Sequence, residues 1–402
     1  MTTEPRDETG GDPEALAVEA ERALESGRAA TAEALYSRAL DMRPAEESWL
    51  MGRATARRFL ARHEEALADV EAALAGNPGN LRLRLERGYA LRAAGLNDAA
   101  ETAYRSILAD RPDQAEARVN LGMLLRAAHR TEEAVAVLQR AATRRPGDAR
   151  VLTALGTARL EAGDVPGAAR DLGQAMSANP WDRNALAHLY AAACAAGDFA
   201  AAEALFPAED TLAVVDDVLG EDEAAALVTV IKRDPTLAWE RSGNTTRGGA
   251  HTGILLDDPD PLVVRLADKL DGALRAYLAG LRRDERHPYL AWRPEHWRLE
   301  IWGVVLASGG YQEPHIHPDG WVSGVCYLAV PPEVGSDPGD AGCLEVGRPP
   351  SLLRPRDGLP VRGIRPRPGR TVMFPSFAWH RTVPFASDSE RICVAFDLRP
   401  MT

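Results

Sequence analysis

The stretch Glu313-Pro314-His315-Ile316-His317-Pro318-Asp319-Gly320-Trp321 sets two imidazoles and a carboxylate at alternate positions, just before the apolar run Val322 to Val330. Residues two apart in an extended strand face the same side, so His315 and His317, or His317 and Asp319, can grip one metal ion. A third ligand must then come from a distant segment. The only later histidine is His380, in Gly369-Arg370-Thr371-Val372-Met373-Phe374-Pro375-Ser376-Phe377-Ala378-Trp379-His380, where a strand leads into a turn that presents an imidazole. Eleven residues further on, Arg391 opens the run Ile392-Cys393-Val394-Ala395-Phe396. A guanidinium there can clamp a dicarboxylate at two points, and the small Cys393 and Ala395 on the same face leave room for it.

The surrounding sequence fits a box built to hold such an ion. Trp297, Leu299, Ile301, Gly303 and Val305 alternate as a strand until Gly309-Gly310 breaks the pattern, and further strands are expected at Val322 to Val330, Cys343 to Val346, Thr371 to Phe374 and Ile392 to Leu398. Many short strands joined by Pro/Gly-rich loops indicate a jelly roll or barrel. Ahead of them lie a short segment, Thr211 to Leu219, a helix from Glu221 to Arg233, a loop from Arg241 to Thr252, and an amphipathic helix from Pro261 to Arg283. Pro331 to Ala341 is expected to be a flap or hairpin connection. The six arginines of Arg354 to Arg370 are expected either to steer an anionic substrate or to sit in a plain connection.

The first half has a different order. Pro44, Pro78, Pro112, Pro146 and Pro180 recur every 34 residues, with alanine twelve residues earlier (Ala32, Ala66, Ala100, Ala134, Ala168, then Ala202) and a large apolar residue four after that (Tyr36, Val70, Tyr104, Leu138, Leu172, Phe206). Small residues mark the turn between two helices at Gly27, Ala61, Gly95, Gly163 and Gly197, with His129 the exception. Gly88, Gly122 and Gly156 recur in the first helix, whereas the unit of Trp49 and Gly52 departs from this register, so a local irregularity is expected there. Arginines at 53, 57, 58, 84, 87, 92, 118 and 126 crowd the first helices; a groove for an acidic peptide and a face balanced by Glu and Asp both fit, and the balanced face is preferred.

Composition narrows the function. Lys plus Arg number 47 against 59 Asp plus Glu, a net charge of −12 that disfavours nucleic acid. No run of about 18 apolar residues occurs, which argues against membrane insertion, and the polar start is expected to be a loose tail. The four cysteines form no CxxC pair, which fits a reducing, cytoplasmic setting.

The 34-residue pattern resembles the tetratricopeptide repeat, whose units stack into an all-α solenoid with a concave, peptide-accepting side. The histidine pair before Ser323-Gly324-Val325-Cys326-Tyr327-Leu328, then Gly342-Cys343-Leu344, then Gly369 with Phe374-Pro375-Ser376 and His380, then Arg391, together resemble the 2-oxoglutarate and Fe(II)-dependent dioxygenases, and most closely a branch found in bacteria and phages. The resemblance implies an α+β double-stranded β-helix (jelly-roll) domain with Fe(II) and 2-oxoglutarate as cofactors. Expected bounds are a tail over 1–10, the solenoid over 11–210 and the dioxygenase-like domain over 211–402. The usual triad of histidine, carboxylate two residues on and distal histidine would be His317, Asp319 and His380. Measured against the Ser-Gly-Val strand, the ligands become His315, His317 and His380. The latter set is preferred, with Asp319 as the alternative third ligand. Arg391 matches the residue holding the far carboxylate of 2-oxoglutarate, and Tyr327 one that assists it.

The implied activity is hydroxylation of a protein or peptide docked by the repeats. Alternatives are oxidation of a small metabolite or peptide natural product with the repeats used for assembly, a non-catalytic scaffold with a ligand-binding barrel, and a three-histidine zinc hydrolase. Substrate identity stays open, as does oligomeric state, although repeat arrays often self-associate. His63, His129 and His188 are expected to be surface or packing residues; His251, His287 and His296 receive no assignment.

Overall fold

The computed structural model describes residues 12–25, 27–240, 245–257, 259–334 and 339–401. The tail over 1–10, Gly243 of the expected 241–252 loop and residues 335–338 of the expected flap lie outside the described residues. The chain divides into two compact units, Met1–Pro146 and Gly147–Thr402.

The first unit consists of four antiparallel helix pairs: α1 (Pro13–Glu25) with α2 (Ala29–Met42), α3 (Glu47–Phe59) with α4 (His63–Gly76), α5 (Leu81–Ala93) with α6 (Asn97–Asp110), and α7 (Ala115–Ala127) with α8 (Thr131–Arg144). The backbone makes each turn in the left-handed region, at Gly27, Ala61, Gly95 and His129. That conformation explains the recurrence of glycine at this place and marks Ala61 and His129 as strained. The alanine and bulky positions are buried as the spacing requires, and a Cβ on Gly88 or Gly122 would collide with Tyr104 or Leu138 respectively. The expected irregularity at Trp49 and Gly52 is absent: α3 and α4 are regular, Ala54 stands in the glycine position against Val70, and Gly52 lies under Tyr36. First-helix arginines are largely paired internally, Arg53 and Arg57 with Asp69, Arg87 with Glu71 and Arg84 with Asp110. The balanced-face reading holds for these.

The second unit starts with more repeat helices, α9 (Ala149–Ala162), α10 (Val165–Ala178), α11 (Arg183–Ala196), α12 (Phe199–Leu205) and the short α13 (Ala208–Thr211). Aspartates 148, 164, 182 and 198 cap α9 to α12 by accepting backbone N–H groups. Then follow β1 (Ala213–Val215), α14 (Glu221–Arg233), β2 (Ala238–Trp239), β3 (Thr246–His251), α15 (Pro261–Gly280), β4 (Trp297–His315), β5 (Val322–Ala329), β6 (Leu344–Val346), β7 (Arg362–Ile364), β8 (Thr371–Pro375), β9 (His380–Thr382) and β10 (Arg391–Pro400).

All pairings are antiparallel, and the sheet runs β1-β8-β5-β10-β4-β9-β6-β7 with β3 added along β4. Strand β4 makes the curl. Its first half pairs with β10 up to Leu306, and its end pairs with β9 at Gln312 and His315. Gly309-Gly310 therefore bends the strand without ending it, Gly309 lying at φ +77°. The expected 241–252 loop is corrected in part: residues 246–251 form β3, where a Cβ on Gly249 would strike the Val305 carbonyl, so glycine here serves close strand approach. Beneath the sheet, Leu266, Leu270 and Leu274 line one face of α15 at four-residue spacing, and Ile231 of α14 fills the space left by Gly303.

Helix α11 is locked to the strand layer. Trp379 Nε1 donates to the Ala187 carbonyl (3.0 Å), Tyr190 Oη to Gly347 (2.6 Å) and Arg183 Nε to Pro318 (3.0 Å). His188 packs edge-on against Trp379, as a packing residue. The 354–370 segment clasps the same helices. Arg356 donates through its backbone N and Nε to Cys194 and Ala195 at the α11 C-terminus, Arg362 pairs with Glu209, and Arg370 pairs with Asp216. These three arginines have a structural use, which fits the plain-connection alternative.

Candidate metal centre

Strand β4 ends at His315, whose cross-strand partner in β9 is His380. Antiparallel pairing thus brings together two imidazoles 65 residues apart in the chain, with ring centroids 4.2 Å apart. His317 lies two residues past the strand. Its backbone N donates to the Ser376 carbonyl (2.9 Å), and Gly320 N donates back to His317 O (3.0 Å), closing a turn over Pro318 and Asp319. The ligand-capable atoms of His315, His317 and His380 all lie within 4.8 Å of one another.

The hydrogen bonds fix which nitrogen is free. His315 Nδ1 faces the Glu313 carbonyl (2.7 Å), His380 Nδ1 the Ala378 carbonyl (3.0 Å), and His317 Nδ1 both carboxylate oxygens of Asp397 (2.8 Å each). Carbonyl and carboxylate oxygens only accept, so every Nδ1 carries hydrogen, and in the neutral ring Nε2 keeps its lone pair for a metal. Burial, helped by the neighbouring His317, pushes His315 down to about 3. Burial together with His315 and His317 holds His380 well below the usual imidazole range. Burial also acts to lower His317, but the charge and hydrogen bond of Asp397 outweigh it and raise this group. Phe374 flanks His380 at 4.7 Å and Trp302 flanks His317 at 5.6 Å between ring centroids.

Asp319 stands apart from this cluster. The turn after His317 ends the two-residue alternation, so its carboxylate points to solvent, 75% exposed, and pairs with Arg399 at 3.3 Å. The side chains that converge are His315, His317 and His380, and Asp319 is not among them.

Arg391 opens β10 and is 1% exposed, yet no carboxylate pairs with it among the described residues, and its Nε has no hydrogen-bond partner. Its guanidinium carbon sits 4.9 Å from the ring of Tyr327, on β5. Tyr327 is fully buried, its hydroxyl unpartnered, and burial pushes it up to about 12. A buried guanidinium without a counter-ion and an idle phenol fit a bound carboxylate, and three convergent imidazoles fit a first-row divalent metal. The residues present therefore suit both Fe(II) and a dicarboxylate.

Sequence reading misses Asp397 and the role of Ser323, whose Oγ donates to Asp397 at 2.6 Å. Asp397 is 5% exposed and follows Arg391, Cys393 and Ala395 at two-residue spacing. An acid in an otherwise apolar strand, on the face assigned to the site, was the available signal. Among the unassigned histidines, His251 lies in β3, and His287 accepts from the Tyr289 and Leu290 backbone through Nδ1, its pKa lowered by burial.

A family model described as "Putative 2OG-Fe(II) oxygenase" matches residues 300–397, and one described as "Tetratricopeptide repeat" matches 18–80, 51–114 and 85–149. The search for curated relatives finds no match. Among solved structures, a thermophilic tetratricopeptide repeat protein of Thermus thermophilus is similar at 19% identity and TM-score 0.38, over 45% of this chain and 98% of its own. YrrB, titled a repeat protein with an unusual peptide-binding site, is similar at 20% identity and TM-score 0.34, over 45% and 93%. A Pseudomonas putida prolyl-4-hydroxylase is similar at 19% identity and TM-score 0.33, over 48% and 95%. No helix of the described residues is long and apolar enough to cross a membrane. The chain thus carries tetratricopeptide repeats in its N-terminal part and, over residues 300–397 of its curled antiparallel sheet, a match to the putative 2OG-Fe(II) oxygenase family.

Proposed function

We propose that this chain is a 2-oxoglutarate and Fe(II)-dependent dioxygenase that hydroxylates a protein or peptide docked by its repeats. One observation carries the reading: three imidazoles converge so that their ligand-capable atoms lie within 4.8 Å of one another, and the same strand layer holds a buried guanidinium, Arg391, with no carboxylate partner among the described residues. His315, His317 and His380 would hold the metal from one side. Asp397 belongs to the same strand face as Arg391, and Arg391 would pair with the distal carboxylate of the co-substrate while Tyr327 donates its hydroxyl to it. When bound, Fe(II) and 2-oxoglutarate supply oxidation by dioxygen, with release of succinate and carbon dioxide and transfer of oxygen to an unactivated C–H bond. Phe374, Trp302 and the surrounding apolar strands keep bulk water from that reaction.

The peptide substrate is supported by the repeats, whose concave sides characteristically accept extended chains. A specific observation favours a second reading for α9 to α13: α11 is bonded to residues 318, 347 and 379 of the jelly roll, so these repeat helices serve assembly. A small-molecule substrate would be compatible with that use. The four buried, unpaired cysteines support a cytoplasmic setting. Succinate formation from 2-oxoglutarate, measured with Fe(II) and ascorbate in the presence of a peptide library or of small metabolites, separates the readings. Stimulation by peptides supports docking by the repeats. Stimulation by metabolites alone supports assembly. Failure of the protein to bind Fe(II) or 2-oxoglutarate overturns the oxygenase.

A further inference from the structure

We infer that Asp397 is a positioning residue that supplies, through His317, the negative charge that a carboxylate ligand would otherwise bring to the metal. The inference rests on the oxygenase reading of the site and concerns how this chain balances its charge. Three neutral imidazoles leave a divalent ion with its full double charge. Asp319, the carboxylate two residues after His317, is turned out to solvent.

The three imidazoles are not equivalent. His315 and His380 each donate Nδ1–H to a backbone carbonyl two residues back, whereas His317 donates to the carboxylate of Asp397, with both oxygens at 2.8 Å. That carboxylate is held in place: Ser323 Oγ donates to Oδ1 at 2.6 Å, and the Gly320 backbone lies against it so closely that a Cβ there would come within 3.4 Å of Asp397 Cγ. Among the described residues its one ion-pair partner within 4.0 Å is His317. A carboxylate on Nδ1–H withdraws that proton partway and makes Nε2 a stronger donor. The negative charge is thus moved one hydrogen bond outward, and His317 becomes the strongest of the three donors.

Binding of Co(II) alone to the full-length protein, measured anaerobically by calorimetry and by the ligand-field spectrum without 2-oxoglutarate, tests this independently of turnover. Asp397→Asn keeps the shape and an acceptor but removes the charge, and is expected to raise Kd about 10- to 100-fold. Ser323→Ala leaves the charge and is expected to hold Kd within about threefold. In a His317→Asp background the charge enters the coordination sphere directly, so Asp397→Asn should then leave Kd unchanged or lower it. Equal losses from Asp397→Asn in both backgrounds, or no loss in the wild-type background, overturn the inference. A readout free of substitutions comes from the Zn(II)-loaded protein labelled with nitrogen-15 histidine. The Nδ1 proton of His317 should resonate downfield of those of His315 and His380, and three alike would contradict the charge transfer. Wild-type protein that binds neither Co(II) nor Zn(II) overturns the inference and the oxygenase reading together, whereas tight wild-type binding insensitive to Asp397 overturns the inference alone.

Discussion

Arg391→Met should make the ligand-free protein more stable while abolishing 2-oxoglutarate binding. The guanidinium is 1% exposed, unpaired with any carboxylate among the described residues, and in contact with the face of Tyr327 at 4.9 Å. Burying an unpaired ion costs several kcal/mol after relaxation, and the contact with Tyr327 returns about 0.5–2 kcal/mol. Methionine fills similar volume without that cost, so stability should rise by about 1–4 kcal/mol, roughly 3–12 °C in Tm for a unit of this size. Loss of a buried charge-assisted pair to the co-substrate should cost about 2–5 kcal/mol of binding, roughly 30- to 4,000-fold in Kd. Thermal unfolding and calorimetric titration of 2-oxoglutarate, both with Co(II) present, read the two effects in one preparation. A variant that is less stable and binds 2-oxoglutarate as well as wild type would refute the assignment of Arg391.

Four further outcomes follow from particular contacts. His129→Gly relieves a left-handed backbone at φ +57° and should stabilise the first unit by about 1 kcal/mol in urea unfolding, whereas Gly163→Ala, at φ +87° with the Arg354 guanidinium over it, should destabilise its own. Asp182→Ala removes the cap of α11 and the acceptor of Thr153 Oγ, and should cost about 1–2 kcal/mol. In metal-free protein, His315 and His380 have folded pKa values below the unfolded 6.5, so the unfolded chain binds more protons and stability falls as pH drops below 6.5, by up to about 1.4 kcal/mol per pH unit for each group. His317 has the opposite sign: its raised folded pKa gives stability that is full below 6.5 and lost as pH rises through the folded value. Urea midpoints taken between pH 4.5 and 8 should therefore show a slope on the acid side that His315→Leu reduces by about one proton; an unchanged slope would contradict the buried neutral imidazole.

Much of this was legible because the two halves carry different periods. A 34-residue step with alanine, a bulky residue and proline in fixed places is a record of helix pairs, and the left-handed turns at Gly27 to Gly197 show why the small residue recurs. It does not record which unit buries the outer faces, and α9 to α13 continue the period while packing with the jelly roll. Strand β3 was hidden by Gly248 and Gly249, which read as a loop but allow close strand approach. His315, His317, His380 and Arg391 were visible as residue types at suggestive positions. The turning of Asp319 away from the three imidazoles depends on a turn closed by the Gly320 to His317 hydrogen bond, and the contact of Asp397 with His317 joins residues 80 apart in the chain. Neither has a local signature.

The central claim is that one ion is held by His315, His317 and His380 beside a carboxylate clamped by Arg391. A crystal of the full chain grown anaerobically with Fe(II) and 2-oxoglutarate, with diffraction recorded on both sides of the iron absorption edge, tests it most directly. A single anomalous peak centred among the three Nε2 atoms, with the co-substrate's far carboxylate on Arg391, is the expected result. A peak on Asp319, iron bound elsewhere, or a co-substrate that leaves Arg391 unpaired would contradict it.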